Sequence, residues 1–265
     1  MRAVVINLGR CPDRLERILK LAGEQGVKLE VITAIDGQDP SNKALLEKHR
    51  SILVNDRIIS DGDMACALSH RKVWRNLLDS DDSWMAVFED DVHFGSNLSE
   101  LLDEAWIPPG VELIKLEGRA NQPRIGSTPL AAIGGRRLHR LGSSYLGTAG
   151  YLISRRAALR SLAYTEKMDV PVDSIMFGAG RSMMSRHAVH QLVPAACIQE
   201  IVLAAIEARE DELPTSIIRP TVGKRPFHKS LLRRLKRQMN KIIDAVSKPR
   251  NTNEAMGAPQ SIPFR

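Results

Sequence analysis

Three consecutive acids, Glu89, Asp90 and Asp91, follow directly on the apolar run Trp84-Met85-Ala86-Val87-Phe88. Carboxylates are disfavoured inside strands and costly to bury, so this position marks the carboxyl end of a strand, where α/β sheets present their ligand sites. Oxygen donors there suit a hard divalent ion, Mg²⁺ or Mn²⁺, shared with substrate phosphates; a solvated acidic turn with Glu89 capping or pairing is the plainer alternative. Arg10 and Arg14, four residues apart, share a helical face that suits clamping phosphate, orienting acids, or a surface pair. Asp173 follows Pro171 ahead of a short helical pattern, as a general base or as an N-cap. Glu117, at the end of the apolar stretch Val111 to Gly118, is the alternative base. His70 suits a ligand site or a hydrogen-bonded core position, and His190 is a candidate for a metal shell only by its place along the chain. Gly147, Thr148 and Gly150 fall where backbone can approach a ligand closely, although Gly147 would also permit a bulge.

The elements that must position these groups alternate between strand and helix patterns, as expected of an α/β sheet with crossover helices. Ala3 to Leu8 reads as a short strand. A helix follows with Pro12 in its first turn, an apolar face of Leu15, Ile18, Leu19 and Ala22, and Gly26 near its end. Val27 to Gly37 reads as the next strand, ending in a turn at Asp36-Gly37, where Asp36 suits an Asx role. A helix covers roughly residues 62–78, strands end near Asp91 and Gly118, and a strand enters a helix near Ser154. No internal repeat is evident.

At 265 residues and 43% hydrophobic content, the chain can bury one large α/β core with an appendage. No apolar run is long enough to cross a membrane, and the first residues lack the pattern of a signal peptide. Cys11, Cys66 and Cys197 are too few and too scattered for a disulfide framework or a zinc site, which fits a reducing cytoplasm. The net charge of +7 is unevenly spread: ten of 38 Lys/Arg and one of 31 Asp/Glu lie between Lys224 and Arg250. Everything outside that stretch carries a slight negative excess. The shift follows Arg219-Pro220-Thr221-Val222 and places a boundary near Val222. The expected organisation is therefore a domain at 1–222, a basic amphipathic helical tail at 223–250, and a disordered end at 251–265. Leu231, Leu232, Leu235, Met239, Ile242, Ile243 and Val246 form the tail's apolar face, with Arg233, Arg234, Lys236, Arg237 and Lys241 elsewhere. Such a helix suits an anionic membrane surface or packing on the domain, whereas nucleic acid is disfavoured because no aromatic residue lies between Lys229 and Arg250 to stack on bases.

Six segments in register carry a more specific signal: Ile6 to Ile18, Ala34 to Gly37, Asp61 to Trp74, Phe88 to Asp91, Leu146 to Ala158 and Pro171 to Phe177. Together they resemble glycosyltransferase family 25, with matches running from about Ile6 to Ile218. Two departures are Ala65 where the family commonly has glycine, and Phe88 where an aliphatic residue is more usual.

The resemblance implies a GT-A-type nucleotide-sugar-binding fold, with a mixed, mostly parallel sheet flanked by helices. It also implies an inverting transfer from a UDP-sugar, usually UDP-galactose, to a saccharide of bacterial lipooligosaccharide or lipopolysaccharide. In that frame Glu89, Asp90 and Asp91 are the metal-binding acids for Mn²⁺ or Mg²⁺. Asn7, Ala34 and Asp36 lie where uridine and ribose would sit, and Arg10, Arg14, Ser69, His70 and Thr148 belong to the donor side. Asp173, or else Glu117, is the catalytic base. The tail would hold the enzyme beside a lipid-linked acceptor at the inner face of the cytoplasmic membrane. The competing reading from another class is a catalytically inactive membrane-associated binding module. Metal-dependent phosphoester hydrolysis lacks a second acid and histidine cluster, and a Rossmann dehydrogenase lacks the glycine fingerprint after the first strand.

Overall fold

The computed structural model describes residues 1–51, 59–178, 182–207 and 255–264. In chain order the elements are β1 (Arg2–Asn7), α1 (Pro12–Glu24), β2 (Leu29–Thr33), α2 (Lys43–His49), α3 (Asp61–Leu78), β3 (Trp84–Glu89), β4 (Val92–Phe94), β5 (Leu113–Lys115), β6 (Glu117–Gly118), β7 (Ala131–Ile133), β8 (Arg136–Arg140), β9 (Gly150–Ser154), α4 (Arg155–Tyr164), α5 (Val172–Phe177), α6 (Met183–Arg186), β10 (Val189–Val193), β11 (Cys197–Gln199) and α7 (Glu200–Glu207).

Local chemistry sets the helix starts. Pro12 opens α1, where its missing N–H costs nothing, and Gly26 takes φ +70 just beyond its end. Ser60 caps α3 by accepting from the Asp63 amide, while its own hydroxyl donates to the Asp63 carboxylate at 2.7 Å. Ser154 does the same for α4, accepting from the Ala157 amide at 3.2 Å.

The main sheet has eight strands in the order β2-β1-β3-β9-β5-β10-β8-β7. β2, β1, β3, β5, β10 and β7 run one way, and β9 and β8 run against them, so the sheet is mixed, with six of its eight strands in one direction. A second sheet, β4-β11-β6, stands beside the carboxyl ends of β3 and β5. The apolar stretch ending at Glu117 is thus not one strand: β5 stays in the large sheet and β6 crosses to the small one.

The central strands are buried on both sides, which is why they read as continuous apolar runs. Val4, Ile6, Met85, Val87, Tyr151 and Ile153 face a core completed by α3, α4 and α5. Ala3, Val5, Ala86, Phe88 and Leu152 face the opposite core, where α1 contributes Ile18 and Ala22. The period of two along each strand assigns every side chain to one core or the other.

The end of the chain corrects an expectation. Residues 255–264, expected to be disordered, lie along the domain: Gly257 N–H donates to Ile125, Ala195 N–H donates to Pro263, and Ile262 is buried. Ile262 supplies an apolar anchor that a compositional reading of this proline-containing end overlooks. The expected helical tail, 223–250, lies outside the described residues. Among the described residues no helix is long and apolar enough to cross a membrane.

Candidate active site

The three acids separate as the strand ends. Ile6 pairs with Glu89, so the next residue of β1, Asn7, stands beside Asp90. Its amide donates to the Asp90 carboxylate at 2.7 Å and to the Cys11 carbonyl at 3.1 Å, and Arg14 approaches the other Asp90 oxygen at 3.4 Å. Asp90 is therefore built into the junction of β1 and α1. Glu89 and Asp91 instead share the Gln199 amide, at 3.5 Å and 3.3 Å.

Glu89 accepts from Thr148 at 2.9 Å and meets the His70 Nε2 at 3.3 Å. Burial pushes its carboxyl up, but the hydrogen bond and charge of His70, with Thr148 and Lys115, outweigh it and hold the group below its ordinary range. Asp91 has the opposite fate. Burial, aided by the charges of Glu89 and Asp90, pushes its carboxyl up to about 7 despite Gln199 and Arg14. The protein supplies too little positive charge for this acid, so a dication held by Asp91 and Glu89 would relieve the repulsion that the fold itself leaves.

Asp173 lies in the first turn of α5, while Pro171 holds the N-cap position, so the N-cap alternative for Asp173 does not hold. Its carboxylate accepts from the Gly147 amide at 3.2 Å, one residue before the Thr148 that touches Glu89. The base candidate and the acids thus meet on adjacent residues of one loop. Glu117 is differently placed. It is fully buried, accepts from Lys115 Nζ at 2.7 Å and Arg119 at 3.0 Å, and also accepts from the Ala149 amide. A fully buried carboxylate already engaged by two cations and an amide is out of reach of an acceptor hydroxyl, which leaves Asp173 as the base candidate.

Other sequence candidates take supporting positions. Asp36 accepts from Arg10 at 2.7 Å and from the Gln38 amide at 2.9 Å, an Asx turn closed by a surface pair. The Arg10 hydrogen bond chiefly lowers the Asp36 pKa. Ser69 accepts from the Ile35 amide at 2.8 Å and donates to the Ala65 carbonyl at 2.7 Å, fastening the loop after β2 to α3. The Ala34 amide bonds to Asn7 at 2.8 Å, so Ala34 closes the same corner. His190 does not join the acids: it pairs with Ile114 and Arg140 in the body of the sheet, and burial pushes its pKa down to about 4.

Sequence reasoning missed Gln199, Tyr151 and Lys115. The Tyr151 hydroxyl lies 2.8 Å from His70 Nδ1 and accepts from the Trp74 indole at 3.0 Å. Lys115 alone left a signal, since Lys115 and Glu117 are two apart in an extended stretch and so face the same way.

A mixed sheet that carries clustered acids at the carboxyl end of a central strand, with Asp173 on α5 bonded to the loop that touches them, is the GT-A-type nucleotide-sugar-binding fold. Residues 1–176 match the family described as glycosyltransferase family 25 (LPS biosynthesis protein), and the chain belongs to that family. A "Putative glycosyltransferase" of Haemophilus influenzae is 28% identical over 243 residues, covering 90% of this chain and 83% of that protein. The "Lacto-N-neotetraose biosynthesis glycosyltransferase LgtB" of Neisseria meningitidis is 30% identical over 227 residues, covering 82% and 81%. Among solved structures, an inositol-1-phosphate CTP transferase from T. maritima aligns at a TM-score of 0.40 and 11% identity, covering 75% of this chain and 88% of the other.

Proposed function

We propose that this glycosyltransferase moves galactose from UDP-galactose to a saccharide of lipooligosaccharide or lipopolysaccharide, with inversion and with a divalent ion, Mn²⁺ or Mg²⁺. The observation that carries the reading is the under-compensated acid pair, Glu89 and Asp91, within one loop's reach of Asp173. The names of the relatives, among them a "Lipooligosaccharide biosynthesis protein lic2B" of Haemophilus influenzae that is 27% identical, support the acceptor class.

Glu89 and Asp91 would hold the ion, which when bound neutralises the charge that develops on the leaving diphosphate. Asp90, Asn7 and Arg14 keep the β1 to α1 junction rigid, and Arg14 adds positive charge beside the diphosphate. Thr148 and His70 fix the Glu89 rotamer. Asp173 takes the proton of the acceptor hydroxyl as that oxygen bonds to the anomeric carbon, and the bond from this carbon to UDP breaks on the opposite face. A single displacement of this kind inverts the anomeric centre. The basic stretch at 223–250 would bring the enzyme to anionic lipid on the inner face of the cytoplasmic membrane, where a lipid-linked acceptor is presented.

UDP release from a panel of UDP-sugars, with and without Mn²⁺, tests this reading. Metal-dependent turnover of UDP-galactose that disappears in Asp91→Asn is the expected outcome. Full activity in the presence of a chelator would remove the metal from the scheme, and turnover of a different sugar alone would remove galactose. Donor binding without turnover of any sugar, even with acceptor saccharides, would favour an inactive binding module.

A further inference from the structure

Cys66 and His70 are four residues apart on α3, which brings both side chains to one helical face, and β3 delivers Glu89 opposite them. The Cys66 sulfur, a His70 nitrogen and a Glu89 carboxylate oxygen all lie within 4.8 Å of one another. His70 Nε2 and Glu89 Oε1 are 3.3 Å apart, which matches the edge of about 3.3 Å expected between two ligands each about 2.0 Å from a tetrahedral centre. Cys66 is half-buried, so the cluster is open on one side, as three-ligand centres that accept an outside fourth ligand are.

The surroundings also fit a metal. The Trp74 indole donates to the Tyr151 oxygen, which lies 2.8 Å from His70 Nδ1, while His70 Nε2 faces Glu89. If Nε2 took a metal, the imidazole proton would sit on Nδ1, where the Tyr151 oxygen can accept it, the outer-shell contact that metal-bound histidines make. Burial and the charges of Glu89, Asp173, Asp63 and Asp91 keep the thiol protonated, so Cys66 is no ready nucleophile, while the same acids attract a cation. The chain of acids alone would select a hard ion, but sulfur and imidazole select a softer one.

We infer that Cys66, His70 and Glu89 form a second cation site, selective for a borderline-soft divalent ion such as Zn²⁺ and distinct in its sulfur and nitrogen donors from the hard-ion pair. Because Glu89 belongs to both, Zn²⁺ and Mn²⁺ compete. Binding releases the thiol proton to solvent and involves no change of oxidation state.

The test uses metals alone on the full chain. Co²⁺, standing in for Zn²⁺, should form a 1:1 complex with a near-ultraviolet sulfur-to-cobalt charge-transfer band. That band should persist in Cys11→Ser and in Asp91→Asn, and vanish in Cys66→Ser. Zn²⁺ affinity, read by competition with Co²⁺, should fall about tenfold or more in Cys66→Ser. In the wild-type chain, Zn²⁺ should slow alkylation of Cys66 and leave that of Cys11 unchanged, a readout that needs no variant to fold. A cobalt spectrum without a sulfur band, equal Zn²⁺ affinity in Cys66→Ser, or unaltered alkylation of Cys66 would each overturn the site. Retention of the band in Asp91→Asn keeps this outcome separate from that of the hard-ion reading.

Discussion

The cluster of Lys115, Glu117 and Arg119 and the cluster of Glu89, Asp90 and Asp91 both form where strands end, and one loop serves both: Gly147 and Ala149 bond to the first and Thr148 to the second. In the first, every charge is answered: Glu117 has two cations and an amide, and Lys115 also donates to the Gly147 carbonyl at 2.5 Å. In the second, Arg14 reaches Asp90 and His70 reaches Glu89, but Asp91 has only the Gln199 amide among these contacts. The first cluster holds its own acid and builds the fold, and Arg119 also donates to the Gln199 oxygen at 3.1 Å. The second is left short of positive charge, which is the observation behind the metal site proposed above.

If this contrast is real, breaking the closed cluster should cost stability and relieving the open one should not. Lys115→Met leaves a buried carboxylate with one cation fewer and a carbonyl without its donor, and should lower unfolding stability by about 3–5 kcal/mol in urea melts. A smaller loss that is restored by Lys115→Met with Glu117→Leu would show that the pair contributes specificity more than energy. Asp91→Asn should reduce UDP release by about 10²–10³-fold, while the thermal midpoint holds or rises and Mn²⁺ no longer shifts it. A matching loss of stability there would erase the distinction between the clusters.

Gly147 joins the two. It adopts φ +104, and a Cβ at this position would fall 2.5 Å from both Glu117 carboxylate oxygens and 2.6 Å from Arg119. Gly147→Ala should cost about 2 kcal/mol and also slow transfer, because the same peptide holds Asp173. The pH dependence gives the finest test. The Asp91 carboxyl titrates about pH 7 in the metal-free fold against an ordinary 3.8, so the folded state holds the extra proton between those values. Metal-free stability should therefore fall by about 2 kcal/mol as pH rises from 4 to 7, a slope that Asp91→Asn should flatten.

Much of this contrast could be read in the chain, and the rest for definite reasons could not. Three acids after an apolar run betray themselves by costing too much to bury, so the end of β3 was legible. The turn that gives Asp90 to Asn7 and leaves Asp91 with Gln199 was not, because it follows from register with β1 and from a strand more than 100 residues away. Lys115 and Glu117 disclose a shared face, but their burial depends on Gly147 and Arg119 folding over them. His190 was misplaced because position along the chain does not say which part of a strand lies near a site. The chain's end was misjudged because an apolar anchor among prolines needs a groove, not a periodicity, to hold it.

The docked segment 255–264 changes what removing the basic stretch does. The Ala255 carbonyl accepts hydrogen bonds from the Ser127 amide and hydroxyl, and Ala195 N–H donates to Pro263, so the residues after the basic stretch belong to the packing of the domain itself. Removing 223–265 would therefore remove that packing as well as the charge. Excising 223–250 and rejoining the flanks with a short neutral linker would remove the charge alone: reduced vesicle partitioning with an unchanged melting midpoint would assign lipid attraction to that stretch, and unchanged partitioning would take the membrane out of its role.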